Sequence, residues 1–366
     1  VFTRETLFHQ ASGVTYRIPA LLYIPPTSTF LAFAEKRFTA KDEDAKYLVL
    51  RRGRLRDSSV EWGPVEELST LVLPGRRTMN PCPLYDATSN TIFLFCICVE
   101  QDKSERWQIW RGRSAARLCF STSTDGGHVW ALLRDVTEEA IGPDLSRWAT
   151  FAVGPGHGIQ LASGRLVVPA YAYYVHLCLC GVIPLPCFTR PHALVFYSDD
   201  GGRSWHKGAL VAGRPTGECQ VAEIAGGHAP LLYCNARAAG GCRAVMFSTD
   251  CGLRFQPSRR CKTLHELPQG CQGSVVSFPA VGDGNGETAR WLLYSHPTDR
   301  RHRRDLGIYL NPSPLDEEGW RVRSVLHKGP AGYSDLAVCP GGLFGCLFEC
   351  GTKSACEEIT FCLFPL

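Results

Sequence analysis

Ser-x-Asp-x-Gly-x-x-aromatic occurs three times in this chain: from Ser123 through Asp125 and Gly127 to Trp130, from Ser198 through Asp200 and Gly202 to Trp205, and from Ser248 through Asp250 and Gly252 to Phe255. Each copy follows an apolar, strand-prone run, at 117–120, 193–197 and 244–247. The residue types predict one kind of turn. Asp bonds the backbone N–H groups of its own turn, Gly takes a positive φ, and the aromatic side chain tucks the returning strand back onto its sheet. One such turn would mark a hairpin. Three, offset by 75 and then 50 residues, mark a repeated β-hairpin unit and an all-β fold of radial design. In such an array, functional residues converge on one axis from distant parts of the chain.

Length allows several repeats. Short β-branched or aromatic runs recur at 21–24, 30–34, 48–51, 92–99, 166–170, 231–235, 274–278, 291–295, 307–310, 343–349 and 359–364, with turn residues between them. Helical periodicity is scarce, with a turn or two expected at 137–141 and near 144–148. No Pro/Gly/Ser-rich linker divides the chain, and 281–289 reads as a surface loop. At about 60 residues per repeat the 366 residues make a six-bladed β-propeller of four-stranded antiparallel sheets, expected to be one domain over 1–366.

The net charge of +4 among 74 charged residues, with arginines dispersed except at 300–304, gives no case for a nucleic-acid partner. The 18 cysteines are scattered, several within apolar runs (Cys96, Cys98, Cys119, Cys234, Cys346, Cys362), and no Cys-x-x-Cys occurs. Thiols so placed behave as small hydrophobes. No asparagine stands in a usable glycosylation sequon, no signal peptide is evident, and no apolar run would span a bilayer. A reducing, cytosol-like setting is therefore expected. His157 follows Gly154-Pro155-Gly156 without a second ligand at suitable spacing, so a structural histidine is expected, with no metal and no cofactor.

Beside the three boxes stand Tyr16-Arg17-Ile18-Pro19-Ala20, Glu35-Lys36-Arg37, Met79-Asn80-Pro81-Cys82, Gly154-Pro155-Gly156-His157, Tyr171-Ala172-Tyr173, Glu218-Cys219-Gln220, Gln269-Gly270-Cys271 and Gly332-Tyr333-Ser334-Asp335. Together they resemble the exo-sialidase (neuraminidase) family over nearly the whole chain. The set is similar to the mammalian cytosolic and plasma-membrane sialidases, and most of all to their membrane-associated, ganglioside-cleaving branch.

The resemblance implies the site. A sialic acid carries a carboxylate on its anomeric carbon, and planar guanidinium forks hold carboxylates with paired charge-assisted bonds. The family's arginine trio matches Arg17, Arg237 and Arg303, with Glu349 matching the carboxylate that braces the first. Alternation along a strand sends Arg303 and Arg304 to opposite faces, and the family motif selects Arg303. Tyr333 matches the nucleophile and Glu218 its base; Glu223, five residues on, is expected on the opposite face. Asp42 matches the acid/base, chosen over Asp44 by the Arg five residues before it, and Arg37 helps seat the substrate. Met79, Glu105 (expected in a charged loop at 102–106), Tyr171, Tyr173 and Gln269 match contacts to the ring substituents.

The segment 176–188 is apolar, cysteine-bearing and broken by Pro and Gly. Two readings stay open: a folded-down loop, or a lipid-facing rim giving peripheral membrane contact, with Cys178, Cys180 and Cys187 as candidate acylation sites. The expected substrates are sialylated glycolipids or glycoproteins, and the expected location is the plasma or endosomal membrane surface. A non-catalytic sugar-binding propeller and a trans-sialidase are the competing readings.

Overall fold

The computed structural model describes residues 1–280 and 289–366, so the loop expected at 281–289 lies, but for its last residue, outside the described residues. Small antiparallel sheets are set around one axis. The first is Thr15–Ile24, Thr29–Arg37, Ala45–Arg56 and Ser59–Trp62; the second is Arg76–Asp86, Thr91–Glu100, Ala116–Ser123 and Arg134–Asp135. The third centres on Trp148–Val153, Leu166–Val175 and Thr189–Ser198, and the fourth is Cys219–Ala225, Leu231–Ala236, Cys242–Ser248 and Arg259–His265.

Sheet counting departs from six separate blades. Among the described residues, four blade sheets and the two-stranded hairpin of Cys178–Leu179 with Ile183–Pro184 stand alone, and the remaining sheet has seven strands. Its cause is Arg321–Val338, an 18-residue strand. One half closes a unit with Ser274–Pro279, Arg290–Pro297 and Arg304–Asn311, and the other opens a unit with Leu343–Cys350, Glu358–Pro365 and the N-terminal Thr3–His9. Two four-strand units are thus fused by one continuous strand.

Inner strands pack neighbour to neighbour around the axis, and 331–338 returns to Thr15–Ile24. Central strands are covered on both faces, which is why Thr91–Glu100 reads Ile-Phe-Leu-Phe-Cys-Ile-Cys-Val without polar alternation. The six cysteines expected in strands are buried, and all 18 are free thiols. The runs expected as strands are strands, and the short helical turns fall at Thr137–Ala140 and Gly142–Arg147.

The boxes fold as their residues dictate. Ser198 Oγ donates to Asp200 Oδ1 at 2.8 Å and accepts from Gly202 N–H at 2.9 Å; Asp200 Oδ1 accepts from Ser204 N–H at 2.9 Å. Ser123 and Asp125 repeat this arrangement, as do Ser248 and Asp250. The aromatic residue does something the turn alone does not reveal: it wedges against the preceding blade. Trp205, fully buried, meets Phe93 and Phe95 edge-on, and Trp130 meets Phe33. Losing a buried Trp of this kind costs about 3–5 kcal/mol. Gly202 is required twice over, by its φ of 86° and because a Cβ there would lie 2.3 Å from Phe93.

Candidate active site

Two inner strands are kinked at the same mouth. Arg17-Ile18-Pro19 and Met79-Asn80-Pro81 each carry a register shift, with Ile18 at φ 65° and Asn80 at φ 56°. A β-branched residue at positive φ is strained, and such bulges re-aim side chains. Buried carboxylates catch the displaced N–H groups. Glu349 accepts from Ile18 N–H at 3.0 Å and from Tyr333 N–H at 2.9 Å, and Glu35 accepts from Asn80 N–H at 2.7 Å. Each of the two also holds an arginine: Glu349 meets Arg17 at 2.8 and 3.1 Å, and Glu35 meets Arg37 at 2.8 and 3.0 Å.

The mouth encloses about 630 Å³. Arg17, Arg37, Asp42, Met79, Glu105, Tyr171, Tyr173, Glu218, Arg237, Gln269, Arg303 and Tyr333 all line it, with Glu349 buried directly behind Arg17. The residues expected together are therefore brought together. Those set aside lie elsewhere. Arg304 is exposed, Asp44 accepts from Thr39 Oγ1, and buried His157 meets Asp335 at 2.7 Å. Glu223 lines a different cavity of about 520 Å³ and accepts from Ala162 N–H.

At the centre, the Tyr333 hydroxyl donates to Glu218 Oε1 at 2.9 Å. Arg237 Nη1 donates to that oxygen at 2.8 Å and to the phenol oxygen at 3.1 Å. Arg17 and Arg303 lie over the Tyr333 ring, 5.0 and 5.3 Å from its centroid. Three guanidinium groups thus surround one phenol. Burial pushes that phenol well above the ordinary tyrosine range, and the Glu218 charge adds to it despite the three arginines. A carboxylate oxygen, Glu218 Oε1, lies 2.9 Å from that hydroxyl, within reach of its proton.

Asp42 stands across the cavity on a short 3₁₀ turn, Asp42–Asp44, its side chain 63 % exposed. Arg37 Nη1 donates to it at 2.6 Å and Arg17 Nη1 lies 3.8 Å away. Burial in the cleft raises its pKa, but the two arginines outweigh that and hold it below the usual carboxylate range. Glu349 is likewise lowered, its burial overcome by Arg17, whereas burial of Glu35 outweighs Arg37 and raises it.

Glu105 corrects the sequence reading: it opens a helix, Glu105–Arg111, rather than lying in a loop. Ser104 caps that helix, accepting from Trp107 N–H at 2.9 Å, and a Ser before Glu-Arg-Trp was the available signal. The Tyr171 hydroxyl donates to Glu105 at 3.1 Å. Walled in yet open toward the mouth, Glu105 is pushed up to about 7, by burial first and then by the Glu218 charge. Three further lining or bracing residues escaped the sequence reading: Glu35, Asn80 and Arg77. The repeated x-Pro step, Ile18-Pro19 and Asn80-Pro81, was the signal for the shared bulge.

A family model described as a BNR repeat-like domain matches residues 28–346. Human sialidase-3 is 54 % identical over 395 residues, covering 98 % of this chain and 91 % of its own. The chain belongs to the sialidase family. Mouse sialidase-2 is 45 % identical, covering 100 % of this chain and 96 % of its own, and mouse sialidase-4 is 44 % identical, covering 99 % and 93 %. Among solved structures, the Hadza microbial sialidase Hz136 superposes with a TM-score of 0.78 at 25 % identity, over 96 % of this chain and 66 % of that one. The intramolecular trans-sialidase of Ruminococcus gnavus has a TM-score of 0.71 at 16 % identity, which shows the shared fold. This sialidase is accordingly a glycoside hydrolase, an exo-α-sialidase.

Proposed function

We propose that residues 1–366 form one catalytic domain that releases terminal sialic acid from gangliosides and other sialoglycoconjugates, with retention, through a tyrosyl–sialyl intermediate. The observation that carries this reading is the phenol of Tyr333 bonded to Glu218 beneath three arginines.

Arg17, Arg237 and Arg303 hold the substrate carboxylate, with Glu349 fixing Arg17. An anionic nucleophile would meet that carboxylate as a like charge, worth about 4 kcal/mol at 4 Å and an effective dielectric constant of 20. A neutral phenol avoids this. The Tyr333 oxygen attacks the anomeric carbon as its proton passes to Glu218, and Asp42 gives its proton to the departing glycosidic oxygen. Water then attacks the same carbon, giving a proton back to Asp42, while Tyr333 departs and recovers its proton from Glu218. Two displacements at one carbon retain its configuration. Arg37 seats the ring, and Met79, Glu105, Tyr171, Tyr173 and Gln269 meet its substituents.

The same reading makes the chain a peripheral membrane protein of the plasma or endosomal membrane. Support comes from 176–188, where Leu179, Val182 and Ile183 stand out from a small hairpin, Cys178–Leu179 against Ile183–Pro184, with Cys180 and Cys187 exposed. Among the described residues no helix is long and apolar enough to cross a membrane.

Release of sialic acid from a fluorogenic sialoside and from ganglioside, followed with Tyr333→Phe as control, tests the chemistry. The substitution should lower turnover at least about 10³-fold on both, and NMR should show the α-anomer released first by the parent enzyme. Undiminished turnover by Tyr333→Phe would remove Tyr333 as nucleophile, and a β-anomer released first would exclude retention.

A further inference from the structure

Arg77 lines the catalytic cavity but is only 2 % exposed, so its charge is taken almost wholly out of water. A buried cation costs several kcal/mol unless its donors are met. Here they are met without a carboxylate. Nε donates to Met79 Sδ at 3.1 Å, Nη1 to the carbonyls of Glu100 at 2.7 Å and Gln101 at 3.2 Å, and Nη2 to the carbonyl of Lys103 at 2.8 Å. Three of these four partners are backbone carbonyls of one short segment. That segment ends at Ser104, whose hydroxyl caps the helix beginning with Glu105.

The helix is held at its other end too. Gly112, at φ 64°, closes it, and Pro184 packs so near that a Cβ on Gly112 would lie 2.6 Å from the proline ring. Gln108, buried in the middle turn, accepts from Ala115 N–H at 2.9 Å and ties the helix to the following strand. The entry to the helix is held by Ser104 Oγ, which accepts from Trp107 N–H, by Gln108 Nε2, which donates to the Ser104 carbonyl at 3.2 Å, and by Gln101 N–H, which donates to the Gly75 carbonyl at 3.2 Å, while Arg77 gathers three carbonyls of 100–103 at once.

We infer that Arg77 is a positioning residue for the substrate pocket: its forked guanidinium gathers the carbonyls of 100–103 and so sets Glu105 against Tyr171. This deepens the sialic-acid reading of the pocket and rests on it. A planar fork with donors on three nitrogens can hold three carbonyls of one loop at once; a lysine ammonium has charge without that fixed geometry. The tuning of Glu105 follows from the same placement. Glu105 is exposed at the mouth, yet the cleft walls first, and then the Glu218 charge with Asp42 beside it, push it up to about 7 against the opposing Tyr171 hydroxyl and Arg237; moved away from Glu218 and Asp42 it would fall toward the ordinary glutamate range.

The test uses the full chain and a fluorogenic sialoside, with Arg77→Met, Arg77→Lys, Glu105→Gln and the double variant Arg77→Met/Glu105→Gln. Arg77→Met should raise KM about tenfold, the loss of roughly one hydrogen bond to a charged group, with kcat within about twofold of the parent. Arg77→Lys should give a smaller rise, about threefold, and it carries the test if Arg77→Met does not fold. Because Arg77 acts through Glu105, the double variant should be no worse in KM than Glu105→Gln alone. The inflection near pH 7 in the KM profile should move toward the ordinary glutamate range in the Arg77 variants. Multiplying KM effects in the double variant, an unmoved inflection, or a loss in kcat with KM unchanged would each overturn the inference. These outcomes are independent of Tyr333→Phe, whose full activity would instead refute the reading of the pocket.

Discussion

In the proposed mechanism, Asp42 faces two opposed demands. As acid for the leaving group it must carry a proton, yet Arg37 at 2.6 Å and Arg17 at 3.8 Å hold its carboxyl below the usual range in the free site. The substrate resolves this. Its carboxylate, in the proposed seat on Arg17, Arg237 and Arg303, brings a negative charge beside Asp42 and offsets the arginines, so the pKa of Asp42 rises on binding. The sign follows: a general acid works protonated, and activity falls as pH rises through its pKa. The free enzyme governs kcat/KM and the complex governs kcat. The descending limb of kcat should therefore lie at higher pH than that of kcat/KM, measured with an alkyl sialoside whose poor leaving group needs the acid. Coincident limbs would count against this account. At this scale the sequence was legible where motifs mark residues that meet in one cavity, as for Arg17, Glu218 and Tyr333. It was silent on Glu35, because a carboxylate that catches the N–H of Asn80, 45 residues away, leaves no local trace.

Among elements, the boxed turns were readable because their geometry is written within eight residues. Their third copy differs instructively. Cys251 stands where the other two have Gly126 and Gly201, and it adopts φ 58°. A side chain in that region carries strain of about 1–2 kcal/mol, so Cys251→Gly should raise stability by about 0.5–1 kcal/mol after the extra entropy of the unfolded glycine. Equilibrium denaturation measures this, and a loss of stability would contradict it. The helix at Glu105–Arg111 is short enough that three turns of periodicity never appear, and its evidence lay in the Ser104 cap alone. Arg321–Val338 hid for the opposite reason. Gly329-Pro330 reads as a stop, but Gly329 N–H finds Asp305 and the Pro330 carbonyl accepts from Gly351, so pairing passes straight through. The hairpin in 176–188 belongs here as well, with Val182 81 % exposed and Leu179 and Ile183 beside it. Replacing Leu179, Val182 and Ile183 together by Ser should weaken vesicle binding and ganglioside turnover while sparing a small soluble sialoside. Equal loss on both substrates, or on neither, would reject the lipid-facing role.

The ring closes by pairing strands from opposite ends of the propeller sequence. Thr3–His9 is the outer strand of the last unit and pairs with Glu358–Pro365, while the chain then crosses to Thr15–Ile24, the inner strand of the first. Leu7 and Phe8, 3 % and 1 % exposed, enter the core shared with Leu347, Ile359 and Phe361. Burying two such side chains is worth about 3–6 kcal/mol. Their loss would also bare the edge of Glu358–Pro365, whose Ile359 is the register partner of Glu349. Glu349 in turn holds Arg17 and the N–H groups of Ile18 and Tyr333. Deleting residues 1–9 should therefore do more than lower the melting temperature by several degrees. Well below that temperature, where the remaining chain is still folded, the loosened Glu349 should release Arg17 and raise KM for a sialoside more than it lowers kcat. Arg237 and Glu218 keep their own bond and their hold on the Tyr333 hydroxyl, the proposed nucleophile, even as its N–H loses a firm partner in Glu349. Thermal unfolding with steady-state kinetics at 25 °C distinguishes the cases. A truncated enzyme that melts early but binds substrate like the parent would show that ring closure and anion grip are separate, and that Glu349 holds its place without the N-terminal strand.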